Sequence, residues 1–140
     1  MSFLERVQLL HSSYCVSVDN EDFDGLLSLF ASDAVIDYGP NMKAQGAESI
    51  DRLFRALRSS CKATSHHTTN TIADPLSLSG MTYVMAWHTF ADAPDLVVWG
   101  RYLDEFIIND EELLVSKRTL LVHGSTRPMP FNALPRIRLT

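Results

Sequence analysis

Apolar positions recur at helical spacing through the first sixty residues and alternate with polar ones after that. Phe3, Leu4, Val7, Leu10, Tyr14 and Val18 lie one, three and four apart, the stripe of an amphipathic helix over 3–18. Asp19-Asn20-Glu21-Asp22 interrupts it, and Asn20 or Asp22 is suited to cap a short second helix that turns Phe23, Leu26, Leu27 and Phe30 inward. Residues 34–38 read as a strand closed by Gly39-Pro40. Gly46 precedes a third helix with Ile50, Leu53, Phe54 and Leu57 on one face and Arg52, Arg55 and Arg58 toward solvent.

From residue 63 the period is two. Residues 63–73, 80–91, 96–108 and 113–124 form four long strands, separated by turn signals at Asp74-Pro75, Asp92-Ala93-Pro94-Asp95 and Asn109-Asp110-Glu111-Glu112. The order predicts an α+β fold: three N-terminal helices over one face of a curved antiparallel sheet. In the second long strand Val84, Ala86 and Phe90 alternate with Tyr83, Met85 and Trp87, so both faces are apolar. The helices cover one face, and the other calls for a partner chain, which predicts a homo-oligomer.

Length and charge narrow the class. The 140 residues are enough for one domain, expected over 1–124 with a separate tail over 125–140. Residues 1–112 hold all 17 acids and seven bases, a net of -10, whereas 113–140 hold five bases and no acid. Most of such a surface repels nucleic acid. Apolar runs stop at about five residues, far short of the ~20 that span a bilayer, and Met1-Ser2-Phe3-Leu4-Glu5-Arg6 shows no basic flank followed by an apolar run, so a secretory leader is not expected. Cys15 and Cys61 lack metal spacing and suit a reducing compartment, so a cytoplasmic protein is expected. The tail contains Pro128, Pro130 and Pro135 and cannot continue the sheet, yet Met129, Phe131 and Leu134 are too apolar for a free end. It is expected to dock over a pocket mouth or on a neighbouring subunit.

Candidate chemistry begins with the histidines. Strand alternation puts His66, Thr68 and Asn70 on one face and His67, Thr69 and Thr71 on the other, so His66 and His67 cannot converge on one metal ion. Asp19 ends the first helix, where the dipole disfavours a carboxylate, and so it needs a donor or cation. Tyr14 lies on the buried stripe, where a tyrosine is often plain core. Together Asp19, a histidine and Tyr14 make a general acid–base set: the Asp orients the imidazole and the Tyr polarises a carbonyl.

The ordered set Tyr14…Val18-Asp19, Leu29-Phe30-Ala31-Ser32-Asp33-Ala34-Val35, Gly46, His66-His67-Thr68-Thr69-Asn70, Gly100-Arg101-Tyr102-Leu103-Asp104-Glu105-Phe106 and Arg118 resembles the polyketide-cyclase-like branch of the nuclear transport factor two superfamily. Within it, the chain resembles scytalone dehydratase, lindane dehydrochlorinase and bile-acid dehydratase, over about residues 3–123. The resemblance implies a cone-shaped α+β barrel, no cofactor and often a homotrimer or homodimer, while the spacing of the histidines and cysteines leads to no metal being expected. It implies an Asp19–His66 dyad, with His66 chosen over His67 because Asn70 follows it by four, and a pocket tyrosine at Tyr14. It also implies substrate contacts from His88 and from Arg118, the latter holding an anion. Trp99 and Phe54 are further lining candidates, with Leu53, Tyr38, Met85 and Phe106. The expected function is a cofactor-independent, dehydratase-like lyase acting on a small cyclic or polyketide-like ketone or alcohol. An isomerase or cyclase with the same pocket, or a non-catalytic ligand-binding or oxygenase-subunit role, is the alternative.

Overall fold

The computed structural model describes residues 1–133. Helix α1 (Phe3–Asp19) opens with a capping box: the Ser2 hydroxyl accepts from the Glu5 N–H, and the Glu5 carboxylate accepts from the Ser2 N–H. It is followed by α2 (Phe23–Leu27), β1 (Phe30–Asp37), β2 (Lys43–Gln45), α3 (Ala47–Ser59), β3 (Ala63–Asp74), β4 (Ser79–Thr89), β5 (Leu96–Asn109) and β6 (Glu112–Ser125). The six strands form one curled, unclosed sheet in the order β2-β1-β6-β5-β4-β3. The helices pack on its concave face, giving the α+β cone.

Four details differ from expectation. The sheet is mixed: β3 to β6 form the antiparallel meander, but β1 joins the free edge of β6 in parallel. Periodicity reports which face a residue occupies, not which way its neighbour strand runs. Second, β1 starts at Phe30, so that ring enters the core from a strand rather than a helix. The three-residue β2 went unseen because it is too short to alternate. Finally, Arg58 is buried instead of facing solvent: its guanidinium donates to the Val18, Asp19 and Cys61 carbonyls. Two of those belong to the last turn of α1, whose carbonyls lack helical partners.

Curvature comes from register shifts between Thr69 and Ile72, Trp99 and Gly100, and Glu105 and Phe106. At the second of these, a Cβ on Gly100 would run into the Leu121 carbonyl, so only glycine lets the strands approach there. Asp110 (φ 46) and Glu111 (φ 69) make the two-residue β5–β6 turn in the left-handed region.

The core lies between sheet and helices. Val7, Leu10, Tyr14 and Val18 of α1 and Ile50 and Phe54 of α3 pack against Val84, Val98, Tyr102, Val115 and Leu120. Leu4, on the expected stripe, is largely exposed, and His11 takes a buried place instead. His11 does so because Asp104 and Arg118 of the sheet meet it there: its Nε2 lies 3.1 Å from Asp104 Oδ2.

Candidate active site

Asp22, not Asp19, caps α2, its carboxylate accepting from the Gly25 N–H. That leaves Asp19 for β3, which crosses beside the end of α1. Asp19 Oδ1 lies 2.7 Å from His66 Nδ1 and accepts from the Thr64 hydroxyl at 2.9 Å. Its Oδ2 accepts from the His66 backbone N–H at 3.0 Å. Three donors thus offset the unfavourable helix end. Burial pushes the Asp19 carboxyl up, but the hydrogen bonds from His66 and Thr64 outweigh it and hold the group below the usual range. An ionised Asp19 favours the tautomer of the neutral imidazole with its proton on Nδ1, which leaves the lone pair on Nε2, and His66 lines the cavity.

The cavity opens between the concave sheet, α1 and α3, with a volume of about 170 Å³. A single water needs roughly 10–15 Å³ on such a measure, so the space suits an organic molecule. Val18, Phe54, Leu57, Val84, Val98 and Leu120 make its wall mainly apolar. Tyr14, Tyr38 and Tyr102 stand together on this wall, with the Tyr14 and Tyr38 hydroxyls 2.9 Å apart. Burial raises all three well above the ordinary phenol range, so each hydroxyl keeps its proton, and one of the Tyr14–Tyr38 pair donates to the other. The Tyr14 ring meets His66 edge-on, with centroids 6.2 Å apart.

His88 also lines the cavity, 5.7 Å from His66 between ring centroids. Its Nδ1 donates to the Leu96 carbonyl at 3.2 Å, and burial lowers its pKa, so it is neutral with Nε2 as an acceptor. It therefore suits a substrate hydroxyl, which can donate to Nε2, rather than a carbonyl oxygen, which cannot.

Asp19, His66, Tyr14, His88 and Phe54 are thus brought together, while Arg118, Asn70 and Trp99 are not. Arg118 is fully buried and does not line the cavity. Asp104 grips it at 2.8 and 2.9 Å, and the Tyr14 and Tyr102 rings cover it at 4.6 and 4.2 Å from guanidinium carbon to centroid. Its charge is answered inside the protein, so the expected grip on a substrate anion is corrected. Asn70 has φ 55 and is exposed within the β3 register shift, which breaks the face parity it was to share with His66. Trp99 sits on the convex face, 41% exposed, its indole against Gly124. Met85 shares that face, while Leu53 and Phe106 lie in or beside the core away from the cavity.

Sequence reasoning overlooked Thr64, although it precedes His66 by two on the same strand face. It also overlooked Tyr102 and the pairing of Tyr38 with Tyr14, which depend on how three separate elements converge. The tail residues Arg127, Met129 and Phe131 line the cavity, whereas Leu134, Pro135, Arg136 and Arg138 fall outside the described residues.

A family model for the SnoaL-like domain matches residues 4–119. No curated protein sequence matches the chain. Among solved structures, the chain is similar to a protein provisionally named a scytalone dehydratase from Novosphingobium aromaticivorans DSM 12444. They are 23% identical with a TM-score of 0.88, over 96% of this chain and 94% of that one. It is also similar to the hexachlorocyclohexane dehydrochlorinase LinA-type3 from Novosphingobium barchaimii LL02, at 18% identity and TM-score 0.78, over 94% of each chain. A third is ActVI-ORFA from Streptomyces coelicolor, at 18% identity and TM-score 0.68, over 87% of this chain and 98% of that one. At such identities these likenesses establish the shared fold.

Proposed function

The chain belongs to the SnoaL-like family, in the nuclear transport factor two superfamily, and from that premise we propose that it is a dehydratase-like lyase working by general acid–base catalysis. The observation that carries the reading is that the Asp19–His66 pair and protonated tyrosine hydroxyls line one apolar cavity. The substrate is a small cyclic or polyketide-like hydroxy-ketone. His66 Nε2 takes the proton from the carbon beside the carbonyl, and Asp19 stabilises the imidazolium that results. The Tyr14–Tyr38 pair donates to the carbonyl oxygen as negative charge gathers on it. The electron pair of the broken C–H bond then forms the new double bond, the C–O bond breaks, and the imidazolium returns its proton to the departing hydroxyl. Water leaves and His66 is restored. His88 Nε2 accepts from a hydroxyl of the substrate and orients it. Every step moves protons between side chains and substrate and requires no cofactor.

A thermal-shift screen of hydroxy-ketones and polyketide fragments identifies ligands, since a molecule that binds the folded state raises the melting temperature. Mass spectrometry of the incubated hits then tests the reaction. A product lighter by one water supports elimination; a product of unchanged mass contradicts it and points to isomerisation.

The homotrimer or homodimer expected from the sequence also stands as a proposal. Met85 (54% exposed), Trp87, Trp99 and Leu103 share the convex face of β4 and β5, which a second copy would cover.

A further inference from the structure

After β6 the chain returns across the cavity mouth as a strap, pinned at both ends. At its start Thr126 exchanges two hydrogen bonds with Val97, N–H to carbonyl at 3.0 Å and Val97 N–H to hydroxyl at 2.9 Å. At its far end the Val122 N–H donates to the Asn132 carbonyl at 2.7 Å, and the Asn132 amide donates to Asp37 Oδ1 at 2.9 Å. Between these pins Arg127, Met129 and Phe131 turn onto the cavity.

Arg127 differs from every other group there. Its guanidinium carbon lies 4.7 Å from the centre of the Phe90 ring, itself part of the cavity wall. Its Nε is buried and has no hydrogen-bond partner among the described residues. The second arginine on the wall, Arg58, is satisfied by the three carbonyls of Val18, Asp19 and Cys61. Among the described residues no aspartate or glutamate lines the cavity, and Asp19, behind His66, is already taken by its three donors. An arginine held over an apolar wall, with a buried donor unanswered, is a fork for a planar anion.

We propose that Arg127 binds a carboxylate carried by the substrate, so that the cavity takes apolar molecules bearing one acidic group at the end nearest the strap. This deepens the dehydratase-like reading and rests on the same cavity: the carboxylate fixes the substrate at the mouth, while His66 and the tyrosine hydroxyls meet its ketone end.

Binding of 2-naphthoate, its methyl ester and 2-naphthol to the full chain, measured by calorimetry, tests this without turnover. The acid should bind the wild type at least tenfold more tightly than the ester, and Arg127→Gln should remove that preference while ester affinity stays within twofold. Arg127→Lys should recover part of it, since a cation remains but the fork is lost. Asp19→Asn should keep the acid preference, so failure of the catalytic dyad and failure of the Arg127 assignment give different results. Equal affinity of acid and ester for the wild type would overturn the proposal. So would an acid preference that survives Arg127→Gln in a protein with unchanged circular dichroism, or no binding by any of the three at millimolar concentration.

Discussion

Asp19 holds His66 at two points, the ring nitrogen Nδ1 at 2.7 Å and the same residue's backbone N–H at 3.0 Å, each on a different carboxylate oxygen. One carboxylate thereby sets both the strand position and the ring orientation of the base. The helix that ends at Asp19 is locked to β3 by the same contacts.

Thr64 donates to the carboxylate oxygen that the imidazole also uses. Thr64→Val keeps the shape and removes that donor, so Asp19 becomes less firmly oriented. Turnover should fall several-fold while KM stays within twofold, because Thr64 acts through the dyad. Steady-state kinetics with circular dichroism checks this, and a raised KM at constant kcat would assign Thr64 to substrate binding instead.

The Arg118–Asp104–His11 cluster is structural. Asp104→Asn leaves the Arg118 guanidinium buried without its counter-charge, a change that costs about 3–5 kcal/mol in comparable buried pairs. Urea denaturation should show a loss of that order. A midpoint close to wild type would mean that the pair contributes little.

Stability should fall in acid in two stages. Burial lowers the His11 pKa, and the Arg118 charge lowers it further against the pull of Asp104. The unfolded chain takes up that proton near pH ~6.5 and the folded one only lower, so stability falls as pH drops through that value. Burial shifts His88 and His123 the same way. Asp104 is pushed up by burial but held down more strongly by Arg118 and His11. Its contribution is present above the ordinary aspartate value of ~3.9 and is lost below it. The melting temperature should decline between about pH 8 and pH 5 and more steeply near pH 3; a flat profile over the first interval would contradict the burial of neutral histidines.

The convex face should govern association. Trp99→Lys combined with Met85→Glu adds charge to the centre of the exposed apolar patch and should convert an oligomer to a monomer in sedimentation. A wild type that sediments as a monomer at micromolar concentration would remove the proposed self-association.

Much of this was legible in the residue pattern. Helix spacing located α1 and α3, and alternation separated His66 from His67 onto opposite faces; the resemblance, not the alternation, assigned the inner face to His66, and His67 lies outside, where it bonds Ser65. What failed were inferences across a register shift or between elements. Asn70 lost its parity with His66 at the β3 bulge. Arg118 shares the concave side with the cavity, but its depth beneath two tyrosine rings and its pairing with Asp104 follow from three-dimensional packing alone. The tyrosine cluster is the same kind of case, since Tyr14, Tyr38 and Tyr102 come from α1, the segment after β1 and β5.

The most direct test of the dyad is turnover by Asp19→Asn and His66→Ala on the first substrate found. General acid–base assistance of this kind is worth ~10²–10⁴-fold, so each variant should lose at least a hundredfold in kcat with its far-UV circular dichroism unchanged. Wild-type turnover by either variant would contradict the assignment of His66 as the base and Asp19 as its partner.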